Sequence, residues 1–124
     1  MIQETKKILE DENLKMAATC VRVPVVSGHS ESVYIELEKE ASVAEIKGIL
    51  MDAPGVILQD NPSEQLYPMP LYAEGKIDTF VGRIRKDPDT PNGFHLWIVS
   101  DNLLKGAAWN SVQIAETLVE KGIL

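Results

Sequence analysis

The sequence predicts an α+β fold, and three observations point to it. Val33, Ile35 and Leu37 alternate with Tyr34, Glu36 and Glu38, the period-two pattern of a half-buried strand. The stretches Ile77–Arg85 and Phe94–Ser100 are separated by little more than the turn-rich Asp87–Gly93 connector, which favours an antiparallel pair. Helical spacing is segregated into stretches of its own, near Ile46 and beyond Leu103, as the α+β class requires.

In chain order, Ile2, Lys6, Ile8 and Leu9, with Glu4 four residues before Ile8, read as the body of a helix. No Ser, Thr, Asp or Asn precedes it as an N-cap, so the chain is expected to be truncated at this end; a frayed terminal helix produces the same pattern. Met16–Val26 is rich in Val, Ala and Thr and reads as extended chain, with Pro24 demanding an edge position or a bend. Ser27–Ser30 is a polar turn, followed by the alternating strand Glu31–Lys39. Ser42 and Glu45 have the spacing of a capping box. The helix behind them is expected to bury Val43, Ile46, Ile49 and Leu50 and to stop near Ala53–Gly55. Val56–Leu58 reads as a short buried strand, and Asn61–Pro70, with three prolines, as mostly loop. A last helix is expected from about Leu103 to Val119, carrying Leu104, Ala107, Ala108, Ser111, Ala115 and Leu118 at helical spacing, with Gly122 as its stop.

The 124 residues carry 12 Lys+Arg against 19 Asp+Glu, a formal charge of −7. That balance argues against nucleic acid or an anionic membrane surface as a partner, while a local cation still suffices to hold one small anion. No apolar run approaches the roughly 18 residues that span a bilayer, and the first residues lack the apolar core of a signal peptide. A cytoplasmic location is the expectation. One cysteine excludes an internal disulfide and a cysteine-cluster zinc site.

Neither glycine-rich phosphate loop occurs, nor any His-Glu-x-x-His spacing; no metal site is expected. The polar concentration with chemical potential is Cys20–Ser30. Within it Arg22 stands opposite Val21 and Val23 in an extended segment, where a guanidinium offers a planar grip on a carboxylate or phosphate. His29, in a glycine-containing turn, has an imidazole suited to acid–base work near neutral pH. On these residues alone, Arg22 paired with a surface carboxylate and His29 as a plain loop histidine stand beside those roles. Cys20 lies in an apolar, strand-like setting and reads as a small buried hydrophobe rather than a reactive thiol. Arg83 and Arg85 are expected on one strand face, paired with some of the surplus carboxylates. Asp101 and Asn102 precede the last helix and are expected to cap it, although an amide there also suits a ligand.

Three segments carry a resemblance. Met16–Glu31 (MAATCVRVPVVSGHSE), Val81–Lys86 (VGRIRK) and Val99–Asn110 (VSDNLLKGAAWN) resemble the C-terminal part of the aspartate-semialdehyde dehydrogenase family. The resemblance spans nearly the whole chain. It implies a mostly antiparallel or mixed sheet with helices packed on one face, as in the C-terminal domain of the glyceraldehyde-3-phosphate-dehydrogenase-like dehydrogenases. It also implies a homodimer whose complete subunit uses NADPH to convert L-4-aspartyl phosphate to L-aspartate 4-semialdehyde, with release of phosphate. Lysine, threonine, methionine and isoleucine synthesis draw on that step. By resemblance, Arg22 binds the substrate carboxylate, His29 is the catalytic acid/base, and Asn102 is a cofactor-contacting amide.

The departures from the family pattern are equally informative. The glycine-rich cofactor loop and the nucleophilic cysteine in its Asn-Cys-Ser/Thr context are missing, as are the glutamate and lysine that bind substrate and phosphate. Cys20 matches a non-catalytic position. Residues 1–124 are therefore expected to be one C-terminal dimerisation and substrate-binding domain, inactive and without NADP when alone. The alternative is a stand-alone, non-catalytic dimerisation or regulatory module derived from that domain.

Overall fold

The computed structural model describes every residue from Met1 to Leu124. Four strands, β1 (His29–Glu36), β2 (Val56–Leu58), β3 (Thr79–Lys86) and β4 (Gly93–Ser100), form one sheet in the order β1-β4-β3-β2. The β1–β4 and β3–β4 pairs are antiparallel and β2–β3 is parallel. Four helices accompany them: α1 (Ile2–Leu9), α2 (Val43–Asp52), α3 (Pro70–Ala73) and α4 (Trp109–Glu120). The α+β class is as expected.

The capping box forms as the spacing demands. The Glu45 N–H donates to Ser42 Oγ at 3.1 Å, and the Ser42 N–H donates to the Glu45 carboxylate at 2.7 Å. At 3.6 residues per turn, Val43, Ile46 and Leu50 fall within about 60° of one another. They meet Val81, Ile84, Phe94 and Leu96 on one sheet face, with Val33 and Ile35 of β1 alongside. Ile49 lies past the edge of that stripe and is 71% exposed, contrary to its expected burial. Ile57 is also exposed, because in a strand of three residues only Val56 and Leu58 point toward α2.

The opposite face has a smaller core of Ala73, Phe80 and Val99, with Trp97 packed against it. Thus α2 covers one face and the single turn of α3 touches the other. The Gln59–Pro68 loop lies directly on β3: a Cβ at Gly82 would collide with the Gln59 carbonyl and the Pro68 ring. Trp97 Nε1 donates to the Pro68 carbonyl at 3.0 Å and fastens the same loop to β4.

Several boundaries differ from expectation. Met16–Val26 is extended as read, and of the two alternatives at Pro24 the bend is realised: the segment joins no sheet, and the Val25 N–H donates to the Val23 carbonyl at 2.9 Å. Only Ser27 and Gly28 form the expected polar turn. His29 and Ser30 already belong to β1, paired with Ser100 and Val99, since ladder pairing depends on backbone groups and not on side-chain polarity. The last helix is split into a π-helical turn, Leu104–Ala108, followed by α4. Gly122, at φ +65°, ends it as expected. No residue of α1 or α4 is buried. No helix is long and apolar enough to cross a membrane.

Candidate functional site

Antiparallel pairing places His29 opposite Ser100 at one end of the sheet. Chain reversal beyond Ser100 then carries Asp101 and Asn102 over the turn that precedes β1. Asn102 Oδ1 accepts the Gly28 N–H at 2.8 Å, a bond between residues 74 positions apart. Gly28 itself sits at φ +88°, a conformation that glycine adopts without the Cβ penalty. Two of the three expected site residues, His29 and Asn102, are therefore brought to the same turn.

Asp101 is the anchor beneath them, 4% exposed. Its Oδ1 accepts the Leu103 and Leu104 N–H groups at 2.7 and 3.0 Å, and its Oδ2 accepts the Gly75 N–H at 2.8 Å. Those three donors hold its carboxyl below the usual carboxylate range. The expected capping is thus performed by Asp101, while Asn102 ties the loop to Gly28. His29 is exposed.

Arg22 stands apart from this contact, exposed on the Met16–Val26 approach. It enters no ion pair; the three present are Met1–Glu4, Lys47–Asp60 and His95–Asp87. Cys20 is exposed, contrary to its expected burial, because the segment that carries it packs against no core. Its Sγ lies 3.2 Å from Met1 Sδ.

Arg83 and Arg85 also depart from expectation. A β-bulge interrupts the β3–β4 register between Gly82 and Arg85, and neither arginine finds a carboxylate. Arg83 is held at φ +54°. Its N–H and that of Ile84 donate to the Asp60 carboxylate at 3.0 and 3.2 Å. Asp60, with its side chain 1% exposed, is paired at 2.8 Å with Lys47 of α2.

A further polar cluster joins groups that the sequence did not pair. His95 Nε2 lies 2.7 Å from Asp87 Oδ2, and the ring of Tyr34, its register partner on β1, lies tilted by 43° at 5.1 Å between ring centroids. Asp87 also accepts the Asp89 and Thr90 N–H groups at 3.0 and 2.8 Å. Hydrogen bonding to His95 above all lowers its pKa. An acidic residue opening the Pro88 turn was a visible hint of the turn bonds, but nothing local paired Asp87 with His95. No three His, Cys, Asp or Glu side chains come together as a metal-ligand set.

For a dinucleotide these residues offer one contact rather than a whole site. Asn102 has its carbonyl oxygen committed to Gly28, leaving only its NH2 group to a ligand, and the chain has no glycine-rich phosphate loop. These residues do not compose a cofactor cradle.

Comparison with known proteins adds the following. A family model described as the semialdehyde dehydrogenase dimerisation domain matches residues 1–105. Aspartate-semialdehyde dehydrogenase of Bacillus subtilis is 69% identical over 119 residues, covering 95% of this chain and 34% of that protein. The enzyme of the same name from Aquifex aeolicus is 56% identical over 124 residues, covering 100% of this chain and 36% of its own length. Among solved structures, aspartate semialdehyde dehydrogenase II of Vibrio cholerae complexed with ASA superposes with a TM-score of 0.90 at 40% identity, covering 97% of this chain and 35% of that one. A Candida albicans enzyme determined with NADP gives a TM-score of 0.65 at 27% identity, covering 83% of this chain and 33% of that one. The chain spans about a third of the length of the curated relatives it matches.

Proposed function

Because the chain belongs to the semialdehyde dehydrogenase dimerisation-domain family, we propose that residues 1–124 are the C-terminal dimerisation and substrate-binding domain of an aspartate-semialdehyde dehydrogenase subunit. The whole subunit would use NADPH to reduce L-4-aspartyl phosphate to L-aspartate 4-semialdehyde and release phosphate, in the cytoplasm, as a step of lysine, threonine, methionine and isoleucine synthesis. Its partners are a second copy of itself and this small substrate, with no role for nucleic acid or membrane.

The observation that carries the reading is the Gly28–Asn102 hydrogen bond. It holds the turn leading into His29 against the loop after β4, so that an imidazole and an amide arise together at one sheet end. His29 is the acid/base: exposed, it exchanges protons with a thiol and an oxyanion that the remainder of the subunit brings to it. Arg22 has no carboxylate partner within the chain, which leaves its planar fork for the substrate carboxylate. Holding the substrate there spends its translational freedom before the chemistry begins. Asn102 offers its NH2 group to the cofactor once another domain has bound it. Cys20 has no catalytic part. Alone, the chain binds no NADP and turns nothing over.

Homodimer formation has support in surface area. The chain exposes 9426 Å², whereas a compact monomer of this mass exposes about 6,600 Å². The excess, about 2,800 Å² by the same scaling, includes apolar side chains on α1, Met16–Val26 and α4. Those exposed apolar side chains mark surface that other protein covers, a second copy or the rest of the subunit.

The test is a chimera in which this chain replaces the matching third of the Bacillus subtilis relative. The chimera is expected to be active with NADPH. Within it, Arg22→Lys should raise KM at least about tenfold by removing the bidentate fork. His29→Asn should lower kcat by about 10²–10⁴-fold. Unchanged kinetics for either variant would overturn that assignment. A chimera that folds and dimerises without activity would favour the non-catalytic module.

A further inference from the structure

Three residues other than glycine adopt the left-handed conformation: Glu10, Gln65 and Arg83. Glu10 follows α1, and Gln65 follows the 3-10 turn Pro62–Glu64, each as a C-terminal cap, where this conformation is common. Arg83 alone lies within a strand. A bulge that needs positive φ takes glycine without steric cost, yet here it holds a bulky, charged residue. Local strain of this kind persists where the surroundings enforce it, and it clusters at ligand sites.

The surroundings do enforce it. The buried Asp60 carboxylate receives two successive N–H groups, from Arg83 and Ile84, and is held in turn by Lys47. The bulge keeps Arg83 in a concavity of about 480 Å³, lined also by Asp60, Pro62, Gln65, Tyr67, Ile84 and Arg85. Its guanidinium stands 5.8 Å from the centre of the Tyr67 ring. Arg85 is oriented by an Nη1 donation to the Arg83 carbonyl at 2.8 Å. Arg83, Arg85 and Tyr67 also line an adjoining concavity of about 330 Å³. Neither Arg22, His29 nor Asn102 lines either hollow.

Charge sharpens the point. In a chain of net charge −7, two arginines side by side would be expected to collect carboxylates, and these collect none. The acidic groups nearby are already engaged. Asp60 is bound to Lys47 and the bulge, and Asp87, two residues beyond Arg85, is bound to His95. Two guanidinium groups lining one concavity beside a phenol ring supply charge-assisted N–H donors for a doubly charged oxyanion.

We infer that Arg83, Arg85 and Tyr67 form a binding site for a phosphate-class dianion. The probe is inorganic phosphate, titrated into the 124-residue chain at slightly alkaline pH and followed by amide NMR, with acetate as the monocarboxylate comparison. Saturable shifts clustered at Tyr67 and Arg83–Arg85 are expected by about 10 mM phosphate, corresponding to millimolar affinity. Arg85→Gln should weaken binding roughly fivefold or more through loss of one charge-assisted contact. Arg83→Gly provides the folding control. It removes the guanidinium while suiting the left-handed backbone, so its unfolding midpoint should hold while phosphate binding is lost. Unsaturable shifts, shifts centred elsewhere, tighter binding of acetate than of phosphate, or undiminished binding by a folded Arg83→Gly chain would each overturn the inference.

Discussion

At the scale of single residues, short polar side chains do most to position the candidate site. Asp101 uses both carboxylate oxygens to join Gly75, Leu103 and Leu104. Its pKa is lowered in the folded chain, so its contribution to stability is present above the ordinary aspartate value, about 3.9. That contribution is lost as pH falls through the lower folded value. Asp101→Asn should therefore flatten the fall in melting temperature below about pH 4 and lower stability at neutral pH, where its amide cannot accept at both positions. Melting curves of the two proteins across the acid range provide the check; parallel curves would remove Asp101 as the source. The capping role was readable from Asp-Asn ahead of a helix. Its third partner, Gly75, was not, because nothing in either segment records their meeting.

At the scale of elements, the β3–β4 hairpin and α2 show where pattern suffices and where it fails. The Ser42–Glu45 box and the Val43, Ile46, Leu50 stripe are local, and both form as read. The bulge at Arg83 depends on Asp60, 23 positions upstream, so even alternation through Val81–Lys86 was misleading there. Glycines separate the two situations. Gly82→Ala would drive a methyl into the Gln59 backbone and the Pro68 ring and should cost about 1–3 kcal/mol or more. Gly48→Ala, with nothing within 4 Å of its new methyl on α2, should gain roughly 0.5–1 kcal/mol. Urea denaturation of the pair tests both, and equal effects would show that the loop does not press on β3 as described.

At the scale of the whole molecule, the buried residues cluster around α2, α3 and the sheet, whereas α1 and α4 contribute none. Ile8, Leu9, Val26, Ile114 and Val119 are among the apolar side chains left exposed. On the dimer reading, the chain should sediment as a dimer or larger species at micromolar concentration. Glutamate at Ile8 and Ile114 should shift it toward monomer without changing the melting of the sheet core. A wild-type chain that sediments as a monomer at high concentration would set that reading aside.

The sequence by itself determined the α+β class, the capped second helix, the alternating strand, the turn-rich hairpin and the family resemblance carried by Met16–Glu31, Val81–Lys86 and Val99–Asn110. All of these rest on local spacing or contiguous residues. Only the tertiary structure decided that Asn102 reaches Gly28, that Asp60 pins the bulge, that Arg83 and Arg85 lack carboxylates and that Met16–Val26 joins no sheet. Each depends on which distant groups come within hydrogen-bonding or packing distance once the chain closes, and that choice is made by burial and backbone pairing across the whole fold.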